Sequence, residues 1–217
     1  MIKWSFSGLK QYINCPRQFN EVKRLGNYHT EVTEAMKYGT AVHKALEDYV
    51  RDGTELPAFY TRFKKSVDPL LDIPGTRYIE YKMALKADKT PCDFDDPEYW
   101  VRGIVDLMIV DKDTAFIVDY KTGKSSRPDP KQLKLMALMT FVHIPEVNYI
   151  NAALLFLMNN VFIEEFYKRE DIDKYWAVFE PDLRRFAHSH QVDWWPANPS
   201  GLCRRHCPVD TCEFYGG

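Results

Sequence analysis

Two runs of β-branched and aromatic residues, 100–110 and 114–120, flank the short polar stretch Asp111-Lys112-Asp113. Runs of this kind joined by so few residues predict an antiparallel hairpin. Each run carries an acid among apolar neighbours: Asp106 follows Gly103-Ile104-Val105, and Asp119 follows Ile117-Val118. Side chains two apart on a strand share a face, so Lys121 projects with Asp119, and the hairpin partner can bring Asp106 beside them. Acids embedded in apolar strands need partners, and two that adjoin repel unless a cation lies between them. Hard oxygen donors suit Mg2+ or Mn2+. An ion held there polarises a phosphoryl oxygen and acidifies a bound water, while an ammonium orients that water or offsets charge in the transition state. The competing readings are an exposed strand end for Asp119-Tyr120-Lys121 and, for Asp106, a salt bridge with Arg102 or with a lysine across the hairpin.

The periodicity around the hairpin predicts the remaining elements. A first helix starts at Ser5 or Ser7, carries Leu9, Tyr12 and Ile13, and is interrupted or restarted at Pro16. A second spans 33–50 with the face Ala35, Tyr38, Val42, Leu46 and Tyr49, where Gly39 and Thr40 allow close approach. His43 lies on this helix, with Glu47 one turn on. Residues 55–72 predict a third helix, ended by Ile73-Pro74-Gly75. Residues 78–85 alternate as a strand does, and Glu80 within it is either a member of the acidic site or exposed on an edge. After a loop at 122–130 come an apolar helix at 131–142, strands at 150–158 and 161–167, and a helix at 171–190. The order implies an α/β (α+β) fold, a mixed sheet flanked by helices.

A chain of 217 residues, 45% hydrophobic, fits a single domain with a sizeable core. With 29 basic against 31 acidic residues, attraction to a polyanion must come from a local patch. Lys121, Lys124, Arg127, Lys131 and Lys134 form one such run, beginning inside the acidic site; the alternative is a solvated loop. Tyr12, Phe19, Tyr38 and Trp100 are the aromatic candidates for stacking bases. No stretch approaches the ~20 apolar residues of a membrane span, and the start lacks a signal sequence, so a soluble, cytoplasmic protein is expected. The tail at 194–217 is rich in Pro, Gly and Cys. Cys203, Cys207 and Cys212 are spaced C-x3-C-x4-C, which suits a soft metal or cluster better than a disulfide framework. They need a fourth ligand. His206 qualifies for a zinc site, and Cys92 is read as a free thiol.

Several pieces taken in order resemble the RecB-type branch of the PD-(D/E)xK nucleases, particularly the iron–sulfur exonucleases of phages and of CRISPR adaptation. They are Ser5-Phe-Ser-Gly-Leu-Lys-Gln-Tyr-Ile-Asn-Cys15-Pro16, Gly39-Thr-Ala-Val-His43, Gly103-Ile-Val-Asp106, Val118-Asp119-Tyr-Lys121-Thr-Gly123, Gln132 and the three terminal cysteines. The resemblance implies a restriction-endonuclease-like core occupying 1–217, with 1–30 and 194–217 together forming a cluster-binding subregion. It implies that His43, Asp106, Asp119 and the main-chain carbonyl of Tyr120 hold Mn2+ or Mg2+, with Lys121 assisting the attacking water and Gln132 beside the site. Lys124, Arg127 and Lys131 are then the expected DNA contacts, and Cys15 joins Cys203, Cys207 and Cys212 around a [4Fe–4S] cluster, with Zn2+ as the alternative. Two departures stand out. Met136 takes the place, four residues after Gln132, of the family's usual aromatic, and the terminal spacing does not begin C-x2-C. The expected activity is a DNA exonuclease acting on single strands or ends in phage or prokaryotic recombination, replication or repair, in the host cytoplasm if phage-encoded. A DNA-end-binding protein with a vestigial site, or an adaptation-type trimming factor active with partner proteins, is the alternative.

Overall fold

The computed structural model describes residues 2–123 and 129–217. Along the chain run α1 (Phe6–Asn14), α2 (Pro16–Phe19) with a π-helical turn Asn20–Arg24, α3 (Glu34–Asp52), α4 (Lys64–Leu71), β1 (Thr76–Leu85) and β2 (Pro91–Cys92). There follow β3 (Val101–Asp111), β4 (Thr114–Lys121), α5 (Lys131–His143), β5 (Tyr149–Phe156), β6 (Val161–Lys168), α6 (Ile172–Ala177) and α7 (Glu180–Val192). The chain forms two compact units, one from Met1–Val32 with Trp176–Gly217, the other from Thr33–Tyr175.

The central unit is a six-stranded mixed sheet in the order β2-β1-β3-β4-β5-β6. The anticipated hairpin is present: Asp111 pairs with Thr114, and Lys112 takes the left-handed conformation that a two-residue turn requires. Only β4 and β5 run parallel, and α5 makes the crossover between them. α5 is apolar on nearly all sides because it is buried, with Leu133, Ala137, Leu138 and Phe141 fully enclosed. Against the other face Val42, Leu46, Phe63 and Val67 pack on Leu107, Ile109, Val118 and Leu155. Each such aliphatic side chain removed from water contributes about 1.5–3 kcal/mol.

β1 and β3 share an irregularity that bears on the site. Ile79, Leu107 and Ile109 face the α3–α4 cluster, whereas Met83 touches Thr140 of α5 and Gly103 lies against Met139. Odd-numbered residues therefore change face partway along both strands, although the pairing runs on from Ile79–Leu107 to Tyr81–Val105 without a slip. Glu80, with φ of 51°, sits at the change, and Asp106 stands opposite it. Left-handed backbone is costly for a residue with a Cβ, so tertiary packing must hold it there.

Two expectations are corrected and one strand is added. Helix is absent from Glu55 to Tyr60: Leu56 is buried, Pro57 lacks an N–H, and Tyr60 N–H bonds back to the Pro57 carbonyl in a turn before a 3-10 turn at Thr61–Phe63. The helix expected at 171–190 is broken at Val178 and Phe179, because Pro181 is compatible only with the first turn of α7. Strand β2 has too little pattern to be read in advance and exists through its pairing with Ala84 and Leu85.

In the end unit, Ser5 caps α1 by accepting from Gly8 N–H, and Pro16 restarts the helix at the first position of α2. Tyr12, Phe19, Phe186, His190 and Trp195 meet edge to face or stacked. Tyr12 and Phe19 are core residues rather than base-stacking surfaces. The tail packs on the N-terminal segment: Asn198 donates to the Asn14 carbonyl at 2.9 Å, Arg17 pairs with Glu213 at 2.8 Å, and Tyr28 donates to Asp210 at 2.8 Å.

Candidate active site and cysteine centre

Neighbouring strands β3 and β4 bring Asp106 and Asp119 together, and α3 adds His43 from the covered face. Gly39 is what lets α3 come so near, since a Cβ there would stand 3.2 Å from Thr122 Oγ1. His43 Nδ1 lies 3.4 Å from Asp106 Oδ1, while Tyr120 donates its backbone N–H to Asp106 Oδ2 at 2.7 Å. Tyr120 thus meets the site through its backbone, and its side chain is buried in the α3–α4 core with the hydroxyl unpartnered. Lys121 Nζ stands 2.5 Å from Asp119 Oδ2. Gln132, one residue into α5, links the two: its amide donates to Asp119 Oδ1 at 2.6 Å, and its carbonyl accepts from Lys121 Nζ at 2.9 Å. The carboxylate can only accept and the ammonium only donate, so the orientation of the Gln132 amide is dictated.

Among the described residues, His43, Glu80 and Asp106 form the group whose ligand atoms lie mutually within 4.8 Å. Glu80 is half-buried beside His43 and Asp106, on a stretch of β1 that β2, paired only with Ala84 and Leu85, does not cover; membership of the acidic site was one of its two readings from sequence. Asp119 is not one of this trio: Gln132 donates to its Oδ1, and Lys121 Nζ lies close to its Oδ2, but that buried oxygen accepts no hydrogen bond. Arg102 does not partner Asp106. It pairs with Asp95 at 3.5 Å and lies over the rings of Phe94 and Tyr99.

The electrostatics are those of a site short of positive charge. Burial, then the charge of Asp106, push the Asp119 carboxyl up to about 6, against the opposing pull of Lys121 and His43. Glu80 is raised by burial and by Asp106 and Glu47. His43 is raised above the ordinary histidine value chiefly by its hydrogen bond to Asp106. A divalent cation would relieve all three, so the donor set fits one.

Of the expected nucleic-acid contacts, Lys124 and Arg127 fall outside the described residues. Lys131 is half-buried at the start of α5, and Lys134 lies over the rings of Tyr167 and Tyr175. Met136 is buried in the core and supplies no stacking surface.

In the end unit Cys15, Cys203, Cys207 and Cys212 line one small cavity, and all are free thiols. Cys15 Sγ accepts from the backbone N–H of Gln18 and of Asn198, both at 3.5 Å, and Cys203 Sγ accepts from Ser200 N–H at 3.4 Å. His206 is exposed and does not line the cavity, and Cys92 is in the other unit.

A family model for the PD-(D/E)XK nuclease superfamily matches residues 3–72 and 65–212. No curated protein matches the sequence. Among solved structures, a candidate exonuclease from Eubacterium rectale superposes with a TM-score of 0.55 at 12% identity, over 96% of this chain and 88% of that one. The structure of SSO0001 gives a TM-score of 0.45 at 12% identity, over 85% of this chain and 76% of that one. Among the described residues, no helix is long and apolar enough to cross a membrane.

Proposed function

Because the chain belongs to the PD-(D/E)XK nuclease superfamily, whose members use divalent metals, we propose that it is a DNA exonuclease hydrolysing phosphodiester bonds of single strands or DNA ends in phage or prokaryotic recombination, replication or repair. The observation that carries this reading is the meeting of His43, Glu80, Asp106, Asp119 and Lys121, with Gln132 bridging the last two.

His43, Glu80, Asp106, Asp119 and the main-chain carbonyl of Tyr120 would hold Mg2+ or Mn2+, and the imidazole nitrogen among them favours Mn2+. When bound, the metal supplies polarisation of a phosphoryl oxygen and acidification of a water. The protein's own groups do the rest. Gln132 keeps the Lys121 ammonium beside Asp119, where it can orient the attacking water or offset charge growing on the phosphate. Asp106 is positioned by the Tyr120 N–H, which fixes one oxygen and leaves the other towards His43. His43 must shed its proton to act as a donor, so rising pH assists the site.

We assign the four cysteines to a [4Fe–4S] cluster that fastens the two chain ends. Four thiols lining one cavity supply one ligand for each iron of such a cluster, and His206, the donor a mixed zinc site would use, does not line it.

The test is cleavage of end-labelled single- and double-stranded DNA by anaerobically purified protein with Mn2+, Mg2+ or EDTA, beside Lys121→Ala. Cleavage should need the metal, start from an end, and fall at least about a thousand-fold in the variant. Equal cleavage by both proteins would overturn the site. No cleavage with any metal would point instead to end binding or to activity only within a complex, such as one that trims DNA for integration.

A further inference from the structure

We infer that Arg62, with Tyr38 and the exposed Phe59, forms a subsite that holds one nucleotide of the strand entering the site, phosphate on the guanidinium and base on the aromatic ring. This rests on the nuclease reading above and adds to it a binding site built from residues outside the metal and lysine set.

Arg62 is exposed on the 3-10 turn before α4, yet it is held in place. Its Nη2 donates to Tyr38 Oη at 3.0 Å and touches Met158 Sδ at 3.4 Å, and its guanidinium lies over the Phe63 ring at 4.9 Å. Tyr38 is itself braced against Tyr60, which stacks on Phe63. Among the described residues no carboxylate pairs with Arg62, whereas exposed Arg51 and Arg184 each have one. A fixed guanidinium without a counter-charge keeps most of its N–H donors for a ligand, and its fork matches a phosphate.

Its location points to the substrate. Tyr38 adjoins Gly39, the position that lies against Thr122, and Met158 follows Leu157, whose N–H bonds to the Lys121 carbonyl at 3.0 Å. Both groups that hold Arg62 are therefore one residue away from backbone in contact with Lys121-Thr122. A strand whose scissile phosphate met Lys121 would pass this guanidinium. Phe59 is 84% exposed and lies three residues before Arg62, in the turn that runs into the 3-10 helix. An apolar ring left so open, so near in sequence to a cation that no carboxylate pairs among the described residues, offers a base a stacking surface.

The test is binding of a fluorescent single-stranded oligonucleotide to the full protein in EDTA, across a salt series, for wild type, Arg62→Gln, Tyr38→Phe, Phe59→Ala and the control Arg184→Gln. Arg62→Gln should weaken binding about ten-fold and reduce the slope of log K against log salt by about 0.7, the loss of one single-strand phosphate contact. Phe59→Ala should weaken binding by a similar factor with the slope unchanged, since stacking releases no counterions. Tyr38→Phe, which keeps the ring and frees the guanidinium, should weaken binding by a few-fold and decides the matter if Arg62→Gln fails to fold. Wild-type affinity and slope in Arg62→Gln, with the wild type binding well, would overturn the subsite and leave the nuclease reading intact. Absence of binding by the wild type would count against that reading itself.

Discussion

The unit of residues 33–175 and the unit made from the two chain ends are held together by different physics. In the former, a six-stranded sheet is covered by α5 on one face and by α3 and α4 on the other, and fully buried aliphatic side chains fill both interfaces. In the latter, an aromatic cluster serves α1, α2 and α7, but the tail beyond Val192 has no regular element and buries little apart from Val209. The tail is tied by Arg17–Glu213, Asn198–Asn14 and Tyr28–Asp210, exposed polar links that each contribute little in water. The sheet unit can follow from apolar burial alone. The tail, on the cluster assignment proposed above, would depend on the group its four cysteines hold, and the acids are seated where the burial is strongest.

The largest effect should come from removing a cysteine. Cys15→Ser is expected to abolish the brown colour and to make the tail at least about ten-fold more sensitive to limited proteolysis, while a fragment containing residues 33–175 persists, because a bound metal group's binding energy is folding energy for its unit. Mass mapping of the first cuts checks this. An unchanged cleavage pattern would remove the distinction drawn between the units.

A smaller effect of opposite sign is expected from Asp119→Asn. The Asp119 carboxyl is raised from 3.8 to about 6, so the metal-free fold binds that proton more tightly than the unfolded chain does. Its contribution is complete below about pH 4 and is lost as the pH rises through about 6. Asparagine cannot ionise, so at pH 7 in EDTA the variant should be more stable than wild type by on the order of 2 kcal/mol, with no cleavage activity. Urea unfolding at pH 4.5 and at pH 7 measures the difference, which should shrink at the lower pH. His43, also raised, acts in the same direction. A variant less stable than wild type at pH 7 would mean that the Lys121 and Gln132 contacts outweigh the cost of burying the charge.

The smallest belongs to a helix end. Thr33 caps α3 by accepting from Met36 N–H at 3.2 Å on an exposed surface. Thr33→Ala should cost about 1 kcal/mol and lower the melting temperature of the sheet unit by a few degrees, leaving the colour of the end unit unchanged.

Much of the sheet unit was legible because its signals are local. Alternation and a two-residue turn specify the β3–β4 hairpin, and the period of two is what makes Asp119 and Lys121 project together and Asp106 adjoin them. The apolar character of 131–142 likewise announced a buried helix, while its role as the crossover between parallel β4 and β5 came only from the fold. His43, Gln132 and Cys15 had no such local signal and were picked out by resemblance. Tertiary structure alone decided the rest. Glu80 takes a left-handed conformation that no propensity favours, since it is set by packing on both faces of the sheet. Gln132 bridges Asp119 and Lys121 only because α5 returns across β4, and Arg62 stays unpaired and fixed only because Tyr38 and Met158, far from it in sequence, meet there. Periodicity and turn chemistry are properties of neighbouring residues, whereas burial, backbone strain and the partners of a charge depend on residues that only the folded chain brings into reach.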